Sequence, residues 1–281
     1  MDRFLHIMMT KTSKEKKALE RLKSSLRDMK RVAVAFSGGV DSTFLLAIAK
    51  ETLGSANALA VTGLSESYPI TERRMACTLA RKLSVEQVFV KTEELKDKNF
   101  IKNPFNRCYF CKKTLFKKIK AEAKKRGFHW VLDGSTVDDL SDIRHGSKAA
   151  KEEGVRSLIQ EAGLSKKSAR KFLKEMGLEN WDKPSFACLA SRFSYNQEIS
   201  KEKLKRVEEA EDFIKMLGFK QLRVRCHEGN IARIEVPKID IDSFLKPAIR
   251  EKVIKKLKGL GFNYITLDLI GYRTGSMNEV L

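Results

Sequence analysis

The sequence predicts an α/β protein built on a doubly wound parallel sheet, followed by a smaller α+β domain. Three observations carry this expectation. Short apolar runs at Val32–Phe36, Ala58–Val61, Gln87–Val90 and His129–Leu132 alternate with helical patterns, the β-α-β-α-β rhythm of a parallel sheet. Glycine-bearing turns, Ser37-Gly38-Gly39 and Asp133-Gly134-Ser135, follow two of those runs, at the strand ends where open α/β sheets hold ligands. Beyond Tyr195 the order becomes helix, hairpin, helix and strand. The expected division is residues 1–195 and 196–281.

Taken in order, residues 1–30 are basic and helical in tendency. Val32–Phe36 is continuously apolar and β-branched at alternate positions, as suits a strand buried on both faces. Thr43–Leu53 reads as a helix, with Leu45, Leu46, Ala49 and Leu53 at helical spacing and Gly54 as its stop. Thr71–Lys82 is a second helix. Asn103–Phe116 interrupts the rhythm, and Lys112–Arg126 resumes it as a helix with Phe116, Ile119 and Ala123 on one face. Lys166–Met176 is helical. In the second domain Lys205–Leu217 is amphipathic, with Val207, Ala210, Phe213, Ile214 and Leu217 inward. Gln221–Cys226 and Ile231–Val236 form a hairpin around Glu228-Gly229-Asn230. Ser243–Leu257 reads as one helix and Tyr264–Leu269 as a last strand.

Composition narrows the classes. At 281 residues the chain can bury a full core, and its 42% hydrophobic content excludes disorder. No apolar run approaches the roughly 20 residues of a membrane span, and the N-terminus has no secretory h-region, so a cytoplasmic protein without membrane contact is expected. The net charge is +20, with Lys and Arg clustered in Lys112–Arg126, in Lys246–Lys258 and near the N-terminus. Such runs are solvated helix faces or a field for polyanions. No aromatic-interleaved RNA-binding signature accompanies them. An odd count of five cysteines argues against a disulfide scaffold. Cys77 and Cys226 read as small core residues.

The candidate chemistry begins at Ser37-Gly38-Gly39-Val40-Asp41-Ser42. Glycines let backbone N–H groups converge, and a helix N-terminus adds partial positive charge, so the turn is an anion cradle. Ser37 and Ser42 offer hydroxyls to phosphate oxygens, and Asp41 can hold a Mg²⁺ that bridges phosphates. Cys108 and Cys111 have C-x-x-C spacing, which fits zinc, iron–sulfur or a redox pair. Asp138, Asp139 and Asp142 read equally as a turn cap or as ligands at the sheet edge. Cys188 lies among apolar residues with Arg192 one turn later, either a buried thiol or one activated by a cation. Arg223 and Arg225 alternate with Leu222 and Val224 and share one strand face, as solvent charges or as forks for a phosphate.

The six-residue turn resembles the PP-loop of the N-type ATP pyrophosphatases, which cleave ATP between its α and β phosphates. Together with Arg107-Cys108-Tyr109, Cys111-Lys112, Asp133-Gly134-Ser135, Trp181–Arg192, Arg223-Val224-Arg225, Ala232–Val236 and Gly271–Asn278, it makes most of residues 30–281 resemble the LarE family. Those are ATP-dependent sulfur transferases of nickel-pincer nucleotide synthesis. The resemblance implies adenylylation of the carboxylates of a pyridinium dicarboxylate mononucleotide, and their conversion to thiocarboxylates by sulfide or another sulfur donor. In one branch the cysteine at the Cys188 position gives up its sulfur. In the other, Cys108, Cys111 and Cys188 ligate a [4Fe–4S] cluster, and this chain has all three. The expected ligand set is therefore ATP and Mg²⁺ on Ser37, Gly38, Gly39, Asp41, Ser42 and Gly134, with Arg192, Arg223 and Arg225 as further binding residues. Asp41 and Cys188 are the expected catalytic residues, in a homo-oligomer. His145 and Ser194–Asn196 depart from the family pattern. A tRNA thiolation enzyme and a nucleotide-binding module with structural zinc are the rival readings; nucleic acid is not the expected partner.

Overall fold

In the computed structural model the described residues are 13–139, 145–184 and 187–279. The chain divides into two compact units. The first comprises residues 1–65, 70–92 and 108–186; the second comprises 66–69, 93–107 and 187–281. The second unit thus takes in two stretches from the first half of the chain.

In the first unit, α1 (Ser13–Met29) precedes β1 (Val32–Ala35), α2 (Val40–Leu53), β2 (Ala58–Leu64), α3 (Ile70–Lys82) and β3 (Glu86–Lys91). Then follow α4 (Arg107–Lys125), β4 (Trp130–Leu132), α5 (His145–Glu152) and α6 (Lys166–Glu175). The four strands are parallel in the order β3-β2-β1-β4, with Val32 opposite both Ala58 and Trp130. Strand order reverses beside β1, which places the carboxyl end of β1 at the switch point where such sheets bind ligands.

Both sheet faces are covered, which explains why β1 is apolar throughout. On one face Val32 and Val34 pack with Phe44, Leu45 and Ile48 of α2, Leu22 and Leu26 of α1 and Phe172 of α6. On the other, Ala33 and Val61 pack with Phe116, Ile119 and Ala123 of α4. The second unit holds α7 (Lys201–Met216), β5 (Arg223–His227), β6 (Ile231–Glu235), α8 (Pro247–Gly259) and β7 (Tyr264–Leu267). Its sheet runs β5-β6-β7, antiparallel and then parallel. Val224, Cys226, Ala232 and Ile234 are buried on one face, while Arg223, Arg225 and His227 alternate onto the other. No helix among the described residues is long and apolar enough to cross a membrane.

The fold class expected from sequence is observed, with three local corrections. α4 begins at Arg107 and not at Lys112, so the C-x-x-C forms its first turn. The expected helix over Ser243–Leu257 is broken: a short helix ends at Leu245, and α8 restarts at Pro247 because proline has no N–H to continue the ladder. β7 ends at Leu267. Cys77 is half-buried, while Cys226 is buried as expected.

The β1–α2 turn is sterically tight. Gly38 has φ +63°, and a Cβ there would lie 2.8 Å from the Ala76 backbone. Gly38→Ala is therefore expected to lower stability by about 1–3 kcal/mol through the left-handed backbone alone, and further through the contact with α3. Equilibrium denaturant unfolding measures it.

Candidate functional site

The cradle in the first unit is built as the sequence requires. Val40 opens α2 directly after Gly39, so the helix N-terminus points at the turn. The turn's own hydroxyls hold its donors with long bonds. Gly39 N donates to Ser37 Oγ at 3.4 Å, and Ser37 N donates to Ser42 Oγ at 3.3 Å. The Ser37 and Ser42 hydroxyls lie 3.2 Å apart. Bonds of this length are weak, so phosphate oxygens can replace them at little cost. Gly134, at the end of β4, completes the wall: a Cβ there would sit 2.8 Å from Ser42 N. Any larger residue would push the sheet edge off the first turn of α2.

Asp41 lies in that first turn. Lys166 Nζ at the start of α6 approaches its Oδ2 at 3.4 Å, while its Oδ1 is buried with no hydrogen-bond partner among the described residues. Burial pushes the Asp41 pKa up, Lys166 pulls it down, and Asp139 pushes it up again, leaving it raised. A buried carboxylate oxygen lacking a partner, beside a second carboxylate, fits a divalent cation. Asp138 and Asp139 have structural duties as well. Asp138 Oδ2 accepts from Lys166 N at 2.6 Å, and Asp139 Oδ2 accepts from Thr136 N at 2.8 Å. Asp142 and Arg144 lie outside the described residues, as does the side chain of His145.

Cys108 is exposed and Cys111 half-buried, three residues apart on one helix face, so two thiolates can reach one ion from there. Tyr109 between them donates to Glu152 of α5 at 2.6 Å, and Lys113 donates to the Tyr109 hydroxyl at 2.8 Å. Among the described residues, no three His, Cys, Asp or Glu side chains are grouped to hold a metal.

Cys188, half-buried, belongs to the second unit. Arg192, fully buried, donates to the carbonyls of Ala187 at 2.7 Å and Cys188 at 3.2 Å, and so fixes the backbone that carries the thiol. Its remaining donors form a bidentate pair with Glu211 of α7, at 2.8 and 3.0 Å. Arg225 is likewise bidentate with Glu235, at 3.1 and 2.9 Å, and also donates to Ser191 O and Ser276 Oγ. Arg223 donates to Leu222 O and lies over the Tyr272 ring, 5.2 Å from its centroid. Burial lowers the Arg223 pKa, and repulsion from Arg192 lowers it further. Arg233 bonds Asp268 at 2.9 Å and also reaches Glu235 at 3.3 Å, so Arg225 and Arg233 share the Glu235 carboxylate.

Lys166, Asn180, Glu211 and Glu235 were not singled out from the sequence. Glu211 had a signal: it falls on the apolar stripe of α7, between Val207 and Ile214, where a charge must be paired. Glu235 had one as well, since it stands in the hairpin strand opposite the Arg223–Arg225 stretch; Lys166 and Asn180 had none, because their partners are distant in the chain.

The fold and the cradle define a PP-loop α/β protein. Comparison with known proteins agrees. The family described as NAD synthase matches residues 14–126. An uncharacterised protein of Synechocystis sp. is 41% identical over 94% of this chain and 97% of its own length. The pyridinium-3,5-bisthiocarboxylic acid mononucleotide synthase of Lactiplantibacillus plantarum is 39% identical over 92% of this chain and 93% of its own length. An uncharacterised Methanocaldococcus jannaschii protein is 31% identical over 92% of this chain and 98% of its own. The chain belongs to the LarE family.

The buried Arg192–Glu211 pair is expected to be structural as well as local. Burial raises the Glu211 pKa, but the Arg192 charge and hydrogen bonds outweigh it and hold the carboxyl below its ordinary value of 4.5. A lowered folded-state pKa means that the pair's stabilisation is complete above the unfolded-state value and is lost as pH falls through the folded one. Glu211→Ala removes the bidentate carboxylate from the buried Arg192 charge, and is expected to cost about 3–5 kcal/mol at neutral pH, less in acid. Unfolding measured at both pH values checks this.

Proposed function

We propose that this protein uses ATP to activate the carboxylates of a pyridinium-3,5-dicarboxylate mononucleotide and replaces each adenylate by sulfur, giving the bisthiocarboxylic acid. The observation that carries the reading is the complete cradle with its bare Asp41 oxygen, in a family whose curated L. plantarum member is named for that product.

The chemistry follows from what each group can do. A carboxylate is a poor electrophile, and adenylylation supplies a leaving group. Its oxygen attacks the α-phosphorus of ATP, the α–β bridging bond breaks, and pyrophosphate departs with the electron pair. Gly39 N–H, the Ser37 and Ser42 hydroxyls and the α2 N-terminus stabilise the phosphate charge that develops. Asp41 would hold Mg²⁺, which screens the polyphosphate. With a cation on that carboxylate, Lys166, which approaches Asp41 Oδ2 at 3.4 Å, would be available to the phosphates. A sulfur anion then attacks the acyl carbon and AMP leaves.

Arg223 is the proposed fork for the mononucleotide phosphate, with Arg225 the rigid anchor beside it. Cys188 is the proposed sulfur-handling residue, its backbone pinned by Arg192. Cys108 and Cys111, three residues apart in the first turn of α4, would be thiolate ligands for an iron–sulfur centre, which would supply a site for sulfide.

Asp41→Asn is expected to lose Mg²⁺-dependent pyrophosphate release by at least about 100-fold, on the scale of removing one preorganised charge-stabilising group. Its thermal midpoint is expected not to fall: the raised pKa of Asp41 means that its ionised form is disfavoured in the folded protein. Retained activity would show that Asp41 has another role. Arg223→Ala is expected to raise the mononucleotide KM about tenfold or more and leave the ATP KM within about twofold, from loss of a charged hydrogen-bonding fork. Protein purified without oxygen is expected to be brown, with roughly four irons per chain. A colourless protein that turns over once and loses the Cys188 sulfur would instead assign Cys188 as a consumed donor.

A further inference from the structure

The Ser37–Ser42 turn is the proposed phosphate cradle, and its Gly38 carbonyl is held by a residue that the chemistry above does not use. Asn180 lies in the one-turn helix Glu179–Asp182 and is 2% exposed. Its Nδ2 donates to the Gly38 carbonyl at 3.2 Å and to Thr43 Oγ1 at 3.0 Å. Its Oδ1 is buried with no hydrogen-bond partner among the described residues. An unmatched buried amide oxygen is unfavourable, and an apolar side chain would fill the space without it. Packing alone therefore gives no reason for an asparagine.

The segment that carries Asn180 is itself strapped down. Lys82 donates to Gly177 O and pairs with Glu179 at 3.2 Å; Arg170 donates to the carbonyls of Trp181 and Lys183; Lys183 pairs with Glu72 at 2.6 Å. The Asn180 amide is thus a donor at a fixed point. Gly38 C=O and Gly39 N–H belong to one planar trans peptide and point in opposite directions. Anchoring the carbonyl inward therefore aims the N–H outward, where Ser37 Oγ now receives it. Glycine at both positions leaves that peptide otherwise free to rotate.

We propose that Asn180 is a positioning residue for ATP: it fixes the Gly38–Gly39 peptide plane and ties it to the first turn of α2 through Thr43. The inference rests on the ATP reading of the turn. Asn180→Asp keeps the volume and sets an acceptor against the Gly38 carbonyl, and Asn180→Ser keeps a shorter donor. Steady-state pyrophosphate release and amide hydrogen exchange across residues 37–43 are measured for both, and for Asn180→Ala.

The expected result is an ATP KM raised about tenfold in the Asp and Ala variants, the effect of one lost buried hydrogen bond and an orphaned carbonyl. The acceptor KM should stay within about twofold, and the Gly39 amide should exchange faster while the middle of α2 keeps its protection. The Ser variant should bind ATP more tightly than the Ala variant. An Asp variant with wild-type ATP KM and exchange, or ATP and acceptor KM values that rise together, overturns the proposal. If the wild-type protein releases no pyrophosphate from ATP, the earlier reading fails. The exchange comparison then decides Asn180 by itself, and unchanged exchange at Gly39 in the variants overturns its role.

Discussion

Keeping the Asp41 carboxylate charged at the start of α2 is the constraint on which the rest of the site depends. Burial disfavours the charge, Asp139 disfavours it further, and Lys166 offers the main relief. A helix N-terminus favours an anion there by a few tenths to about 1 kcal/mol, too little to offset deep burial alone. The carboxylate is therefore poised for a second cation, and its bare Oδ1 is where one fits. The surroundings follow from this. Gly134 lets the end of β4 meet the first turn of α2, Gly38 lets the turn reverse against α3, and α6 delivers Lys166. Each places backbone or charge where an ordinary side chain would not fit.

The small sheet solves a different problem, the burial of arginines. Arg192 and Arg225 each meet a carboxylate in a bidentate pair, which satisfies the guanidinium fork and fixes its plane. Arg223 lies over the Tyr272 ring and donates to the Leu222 carbonyl, and burial and then Arg192 nearby disfavour its charge. An incoming phosphate would relieve that repulsion. This is why Arg223 is the better proposed ligand of the strand pair that the sequence had treated alike.

Local pattern was enough for the parallel sheet, because β1 and β2 are buried on both faces and so carry unbroken apolar runs. It was enough for the cradle too, since its glycines, hydroxyls and carboxylate stand in six consecutive residues. Contacts between distant residues were not legible. The first turn of α4 mixes Cys, Tyr and Phe without helical periodicity and is held by Tyr109 against Glu152, 43 residues away. Beside Cys188, Arg192 reads either as a cation near a reactive thiol or as a neighbour of a buried one; its partners include Glu211, 19 residues on, and the Cys188 carbonyl. Nothing near Asn180 in sequence points to Gly38, 142 positions earlier. The +20 charge reads either as solvated helix faces or as a field for polyanions; Lys113 and Lys120 of α4 and Arg126 just beyond it are matched by Glu152, Glu153 and Glu86.

The central claim is that the cradle serves adenylylation of a small dicarboxylate acceptor. Pyrophosphate release from Mg·ATP, measured with the pyridinium dicarboxylate mononucleotide and separately with bulk tRNA, tests it most directly. The account predicts release that depends on the mononucleotide, with products heavier by one oxygen-to-sulfur exchange per carboxylate when a sulfur source is present. Release that depends on tRNA, or ATP binding without release under either condition, would contradict it.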